Sequence, residues 1–506
     1  MQRYILTLLL SGSFLACTKE LTQVNPNVIT QENYWKTEND VLSGLAATYK
    51  VLRTPFRGYW GYKGVQMVNG RGDDFFIRND SKDMYQLTTF SNTPTTSVPA
   101  DIFAGCYTGI FRANQIIENT PNAQISDELK KQYVAEAKFL RALNYHLLVT
   151  NFGAVPIITK VPQDRTAYFP QQSPEEQVWA QVVSDLQEAK ANLPVSYPAQ
   201  WVGRATKGAA IGYLAKSYVY QKKWAEAEAE FKLLAQPTGQ AQAPFTYDLL
   251  ANYEDNFLKE KDNNVESLFE VQNQNVGGQD LSGTENAIET QGSTTAQAFA
   301  PTEVAGWFQA YPTNKMFTEF QKEKTMTGDV DPRMYASLIW DYPGATFYRK
   351  PYSQFTVVFG KLSRIKKYQN FRDVDEGVKV SEINEKTLRY ADILLLYAET
   401  LIMQGKTTEA YPLINRIRQR AKLADLPTGY TQDQLMAELR HQRMVEFFRE
   451  GQRFYDLRRW GLLEQEIKNS DKEGREFFNL QRHAYFPIPQ GELNTNPNIT
   501  QNPAWK

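Results

Sequence analysis

A mostly α fold, a tetratricopeptide-like scaffold of helical hairpins interrupted by one large insertion of loops and short strands, is what this sequence predicts. Three observations predict it. Residues 128–149, ELKKQYVAEAKFLRALNYHLLV, place Tyr133, Ala137, Leu140 and Leu147 on one stripe, the period of an amphipathic helix. Two later segments repeat a single pattern. In YLAKSYVYQKKWAEAEAEF the residues Leu214, Ala215, Tyr218, Ala227 and Phe231 fall at the offsets of a tetratricopeptide hairpin, and in LYAETLIMQGKTTEAYPLI so do Tyr397, Ala398, Leu401, Gly405, Ala410 and Ile414. The small residues let two helices approach, and the large ones fill the groove between them. Third, from about Gly239 to Glu385 the helical period disappears, so the scaffold is an interrupted one and not a regular tandem array.

Taken along the chain, MQRYILTLLLSGSFLAC has Arg3, an apolar core from Tyr4 to Leu10 and small residues up to Ala16, the layout of a secretory signal over residues 1–16. Its core is too short to span a bilayer, which takes roughly 20 apolar residues. Cleavage before Cys17 would leave that thiol at the new N-terminus, where it can accept a diacylglycerol as a thioether. Residues 17–33 are polar, contain Pro26 and have no apolar period, so they read as a tether. A domain over 34–506 follows, its helical scaffold at about 34–238 and 386–506 and its insertion at about 239–385. Weaker helix pairs fall near residues 41–53 and 103–150, and SPEE predicts a helix start with Ser173 as N-cap, Pro174 at the first helical position and Glu176 closing a capping box. The insertion holds NQNVGGQDLSGTENAIETQGSTTAQ and then Trp307, Phe308, Tyr311, Trp340, Tyr342, Phe347 and Tyr348. Long ordered loops on a rigid scaffold are where binding residues concentrate. The stretch YWGYKGVQMVNGRGDDFF, residues 59–76, reads as irregular in the same way.

Composition narrows the function. Fifty-six Lys plus Arg balance 57 Asp plus Glu, which leaves no electrostatic footprint for nucleic acid. Three histidines, His146, His441 and His483, do not make a histidine-rich metal centre, and no cofactor or metal is expected. The mean hydropathy of −0.52 and the lack of a later apolar run of membrane length predict a soluble mature chain. Cys106 has no intramolecular partner once Cys17 is acylated, so it reads as a small buried apolar residue. Aromatic residues at 13% are the unusual feature; exposed rings suit sugar faces, and core packing is the alternative for each of them.

No catalytic constellation stands out, and no enzyme is predicted. Asp73 and Asp74 are adjacent, so on an extended chain they point to opposite faces and cannot readily flank one bond as a glycosidase pair. GDVDPR, residues 328–333, offers Asp329 and Asp331 but lacks the further acidic ligands of a calcium loop and reads as a turn. RGD at 71–73 reads as coincidence. EFFREGQRFYDLRRWG sets Arg449, Arg453, Arg458 and Arg459 among Glu446, Glu450 and Asp456 at spacings of three and four, which reads as a structural network of ion pairs on helix faces.

Seven segments in order carry a family resemblance: YTGIFRAN at 107–114, AEAKFLRALNYHLLVTNFGAVPI at 135–157, DPR at 331, LRYADILLLYAE at 388–399, NRIRQRA at 415–421, RMVEFFREGQRFYDLRRWG at 443–461, and FPIPQGELNTNPNITQNPAW at 486–505. The chain resembles the SusD/RagB family of outer-membrane nutrient-binding lipoproteins of the Bacteroidetes over nearly all of its mature length. The segment around Cys17 resembles a bacterial lipobox, with Phe14 and Leu15 departing from the usual residues. The resemblance implies a SusD-like fold with four hairpins, a lipid on Cys17, an exposed position on the outer membrane, and service as the lid of a SusC-like TonB-dependent transporter. It also implies that the scaffold largely faces the transporter while the insertion carries the ligand site. The expected ligand is a glycan; a peptide, as in RagB-type uptake, is the alternative. Residues 59–76 and 272–348 are expected to converge, with Trp307, Tyr311 and Trp340 as stacking platforms and Asn69, Arg71, Asp73, Asp74 and Asn275 as hydrogen-bonding partners.

Overall fold

A computed structural model describes residues 34–54, 56–164, 166–274, 276, 291–358, 360–371 and 380–506. The signal segment, Cys17, the tether and Asn275 lie outside the described residues. The helices of nine residues or more are α1 (Glu38–Val51), α2 (Tyr62–Gly70), α3 (Ser97–Asn119), α4 (Asp127–Phe152), α5 (Glu175–Asn192), α6 (Lys207–Tyr220), α7 (Trp224–Leu234), α8 (Tyr390–Met403), α9 (Thr407–Arg420) and α10 (Gln432–Glu446). Strands of three residues or more are β1 (Phe75–Ile77), β2 (Ser267–Val271), β3 (Ala310–Pro312) and β4 (Glu385–Arg389), and every sheet described is a two-stranded pair. The mostly α prediction holds.

Local signals explain where the helices begin and end. Helix α4 opens on Ser126, whose side chain accepts from the Leu129 amide, with Asp127 and Glu128 in its positive first turn. It runs on to Phe152 and stops at Gly153, whose φ of 72° breaks the helix. Helix α5 starts one residue later than SPEE suggests. Ser173 is paired with Val155 in a short antiparallel ladder, so Pro174 takes the cap position without a side-chain bond.

The two hairpins form as their spacing predicts. Ala215, Ala227 and Phe231 of α6–α7, and Ala398, Ala410 and Ile414 of α8–α9, are fully buried. The later hairpin packs directly on the earlier one: the rings of Phe231 and Tyr397 stack at 5.7 Å, and Gln404 and Lys406 bond to Glu228. Helices α3 to α7 each lie against the next in chain order, and α1 rests on α3. One continuous hydrophobic cluster runs from Val41 to Ile499. Cys106 lies inside it, and burial pushes its thiol up to about 12.

The insertion leaves and returns at one place, where β2 pairs antiparallel with β4. Between them the described residues form loops, short strands and three short helices, Thr295–Phe299, Asn314–Glu319 and Pro332–Ser337. Residues 59–76 differ from expectation, because Tyr62–Gly70 is a helix and Phe75–Ile77 a strand. All of α2 except Lys63 is buried, which erases the amphipathic stripe that would reveal it. Gly64 allows the helix to start there, since a Cβ would come within 2.2 Å of the Tyr59 carbonyl oxygen.

The arginine-rich motif is structural, but its pairing is not the local one its spacing suggests. Only Arg459 with Asp456 pairs at i,i+3 inside the motif. Arg449 forks onto Glu385 at 2.8 and 3.0 Å, Arg453 onto Asp73 at 2.7 and 2.9 Å, and Arg458 donates to the carbonyls of Thr150 and Ala484. Glu446 accepts from Arg389 and Arg420, and Glu450 from Arg389 and Lys367. Arg449 with Glu385 and Glu450 with Lys367 tie this motif to the insertion, whereas Arg453, Arg458 and Arg459 bind within the scaffold; planar forks matched to carboxylates fix orientation as well as charge.

Candidate ligand-binding site

Segments 59–76 and 272–348 do meet. Strands β1 and β3 pair antiparallel, with Phe76 opposite Tyr311, and Tyr62 donates to Gln309 at 2.6 Å. Above this ladder is a recess of about 420 Å³ lined by Phe76, Arg78, Glu303, Phe308, Tyr311 and Arg364, among others. A tight turn builds one wall. Residues 302–304 form a 3₁₀ turn, Ala305 takes φ 64°, and a Cβ on Gly306 would lie 2.1 Å from the Ala300 carbonyl oxygen. Phe308 then adopts φ 47°, a left-handed conformation that is strained for an aromatic residue. That strain turns its ring into the recess, where Arg364 lies 4.4 Å and Arg78 5.4 Å from the ring centroid.

The floor is aromatic. Tyr311 stacks on Phe76 at 5.1 Å, and the Lys361 ammonium lies 4.6 Å from the Tyr311 centroid. Burial pushes the Tyr311 phenol up to about 12. Glu303 is held at about 2: burial alone would raise it, but the Thr356 amide donates to it and Arg364 stands 3.8 Å away. Arg364 also lies 5.7 Å from the Phe355 ring, which belongs to a second small aromatic core with Phe347 and Tyr352. Outside that core is a shallower groove of about 590 Å³ lined by Asp341, Tyr342, Thr346, Tyr352 and neighbouring residues. Trp340 is half-buried and gathers Tyr335 at 5.0 Å, Tyr342 at 4.7 Å and Phe317 at 5.9 Å, with Tyr335 exposed.

The expected residues therefore separate. Tyr311 lines the recess, with one face covered by Phe76; Trp340 belongs to a surface aromatic cluster; Trp307 is half-buried edge-on to Tyr62 at 5.4 Å. Asn69, Arg71, Asp73 and Asp74 are a correction, because all four are buried and the first three are bonded into the fold. Asn69 donates to the Val65 carbonyl and accepts from the Gly451 amide. Arg71 is sandwiched between Phe454 and Phe486 at 3.7 and 3.9 Å and donates to Asn151 and the His483 carbonyl. Asp73 is clasped by Arg453 and Lys315, which hold it far below the ordinary carboxylate range against the push of burial. Asp74, buried beside the Asp73 charge, is pushed up to about 7. Two carboxylates with divergent protonation resemble an acid–base pair, yet neither side chain opens onto a recess a substrate could enter.

The GDVDPR segment is a turn. Asp331 caps the helix Pro332–Ser337 and takes the Arg333 fork on both oxygens, while Asp329 accepts from Thr327. Among the described residues no group of three or more metal-ligating side chains comes together. Sequence reasoning left out Arg78, Glu303, Tyr335, Lys361 and Arg364. Nothing in single residues scattered over nearly 300 positions signals that they meet, whereas Phe308, Tyr311, Trp340 and Tyr342 were visible as clustered aromatics.

By architecture the molecule is a helical-hairpin scaffold displaying a loop-built aromatic recess. The profile described as the SusD family matches residues 265–505, and a second, described as starch-binding associating with outer membrane, matches residues 33–219. A SusD superfamily protein from Bacteroides vulgatus, known from a crystal structure, is 34% identical, with a TM-score of 0.84 over 93% of this chain and 100% of that one. A solved laminarin-binding SusD-like protein is 26% identical, with a TM-score of 0.79 over 92% of this chain and 99% of that one. SusD-like protein P2 of Formosa agariphila is 25% identical over 99% of both chains. The chain belongs to the SusD family.

Proposed function

We propose that this protein is a cell-surface glycan-binding lipoprotein, held on the outer membrane by a lipid on Cys17, which captures oligo- or polysaccharide and delivers it to a SusC-like TonB-dependent transporter. The observation that carries the reading is the aromatic cluster of Tyr335, Trp340 and Tyr342 at the surface of the insertion, with Tyr342 lining a groove edged with polar side chains. Flat rings with hydrogen-bonding neighbours fit the apolar faces and hydroxyls of sugars. The likeness to a laminarin-binding protein supports the same reading. No described helix is long and apolar enough to cross a membrane, so a lipid on Cys17 would supply the attachment. A single acyl chain anchors only marginally, and the diacylglycerol supplies two.

The test is calorimetric titration of the wild type and of Trp340→Ala/Tyr342→Ala against panels of oligosaccharides and of peptides. Glycan binding that falls at least tenfold in the double variant, with its melting temperature within a few degrees of the parent, supports the proposal. Binding to peptides and to no glycan would replace the function with peptide capture.

A further inference from the structure

Resting on the glycan reading, we propose that the recess selects a negatively charged sugar, one bearing a uronate carboxylate or a sulfate ester. Three cations, Arg78, Lys361 and Arg364, surround its aromatic floor and wall of Phe76, Tyr311 and Phe308. The carboxylates nearby are already committed. Glu303 accepts from the Thr356 amide and stands 3.8 Å from Nη2 of Arg364, Glu473 accepts the Tyr85 hydroxyl, Asp80 stands 3.5 Å from Arg78, and Asp471 accepts from the amides of Asn314 and Lys315.

The cations keep unused capacity. Arg364 is 4% exposed, yet its Nη1 has no hydrogen-bond partner, while Nη2 donates to the Thr356 carbonyl and the Tyr352 hydroxyl faces the guanidinium. A guanidinium N–H sheltered from water without an acceptor is costly, and a ligand oxygen is what would satisfy it. The Lys361 ammonium is 3.9 Å from Asp471, beyond a hydrogen bond, and lies over the Tyr311 and Phe76 rings. Arg78 spends one nitrogen on the Phe308 carbonyl at 2.8 Å, and a third of its side chain is open to solvent. An anionic substituent could therefore take charge-assisted bonds from these cations while its ring rests on the aromatic floor. A neutral sugar would leave the Arg364 donor no better satisfied by charge than before.

The experiment titrates the full-length mature protein with oligogalacturonate, a sulfated galactan oligosaccharide and laminarihexaose of matched length, at about 50 and about 300 mM salt. The charged sugars are expected to bind at least tenfold more tightly than laminarihexaose, with part of that preference lost at the higher salt. Arg78→Gln/Lys361→Gln, two substitutions at partly exposed positions, should remove most of the preference with the melting temperature unchanged, and Arg364→Gln should lower the affinity for the charged ligands. The two anionic arms distinguish a carboxylate from a sulfate site, and preference for either supports the proposal. Equal or tighter binding of laminarihexaose, or a double variant that keeps the preference, overturns the charge selection and leaves the glycan reading standing. Failure of the wild type to bind either charged sugar overturns the charge selection, and the glycan reading itself is decided by the oligosaccharide and peptide panels.

Discussion

His441 sits between two carboxylates, with Nδ1 2.6 Å from Glu319 and Nε2 3.2 Å from Glu323. Burial disfavours its charge, but the two carboxylates prevail and raise the imidazole to about 9. Unfolded histidine titrates at about 6.5, so this imidazolium contributes stability that is fully present below about pH 6.5 and is lost as pH rises through about 9. His441→Gln should melt below the parent at pH 6, and the gap should close by about pH 10, as followed by calorimetry. Asp74 supplies a second slope. Its folded value near 7 stands above the unfolded value of about 3.9, so the stability of its protonated form is present below pH 4 and lost as pH rises to 7. Asp74→Asn removes that loss, and its melting temperature relative to the parent should climb between pH 4 and 7. A flat difference across that range would mean that Asp74 is ionised throughout. The sequence placed these aspartates in a loop facing ligand because polarity alone reads as exposure. The partner of Asp73, Arg453, lies 380 residues further on, and no local pattern connects the two.

Among the elements, the hairpins were legible because their information is local: small residues at fixed offsets decide how closely two helices pack. Ala398 is fully buried in α8, so Ala398→Leu should overfill the contact and cost about 1–3 kcal/mol in denaturant unfolding. Helix α2 was illegible for the opposite reason, being short and buried nearly all round. The junction between scaffold and insertion depends on α10, whose Glu446 is fully buried and receives Arg389 and Arg420 at 2.9 and 2.6 Å. Removing one member of a buried ionic network strands the charges that remain. Glu446→Ala should therefore destabilise by about 3–5 kcal/mol, and a loss below 1 kcal/mol would show that Arg389 and Arg420 find other acceptors among Glu266 and Glu450.

For the whole molecule, order of segments identified the family where composition could not, while most of the lining of the recess stayed hidden because it comes from loops and strands of two or three residues, too short to carry a period. Under the proposed function, Cys17→Ala should fold with an unchanged melting temperature and leave the outer membrane for the soluble fraction; its retention in membranes would count against the lipid anchor. Mild detergent extraction of the wild type should bring down a large TonB-dependent barrel, and recovery as a free monomer alone would count against delivery to a transporter.

The clasp on residues 69–74 also dictates an order of assembly. A ribosome releases Arg71 and Asp73 long before it has made Arg453, Phe454 and Phe486, which enclose them. Until those residues emerge, the early helices hold two ionised groups whose resting place does not yet exist. A chain stopped before residue 453 lacks the Arg453 fork and both flanking rings, which leaves Asp73 with Lys315 and Arg71 without its aromatic sandwich. The clasp on this early segment is completed from the tail of the chain.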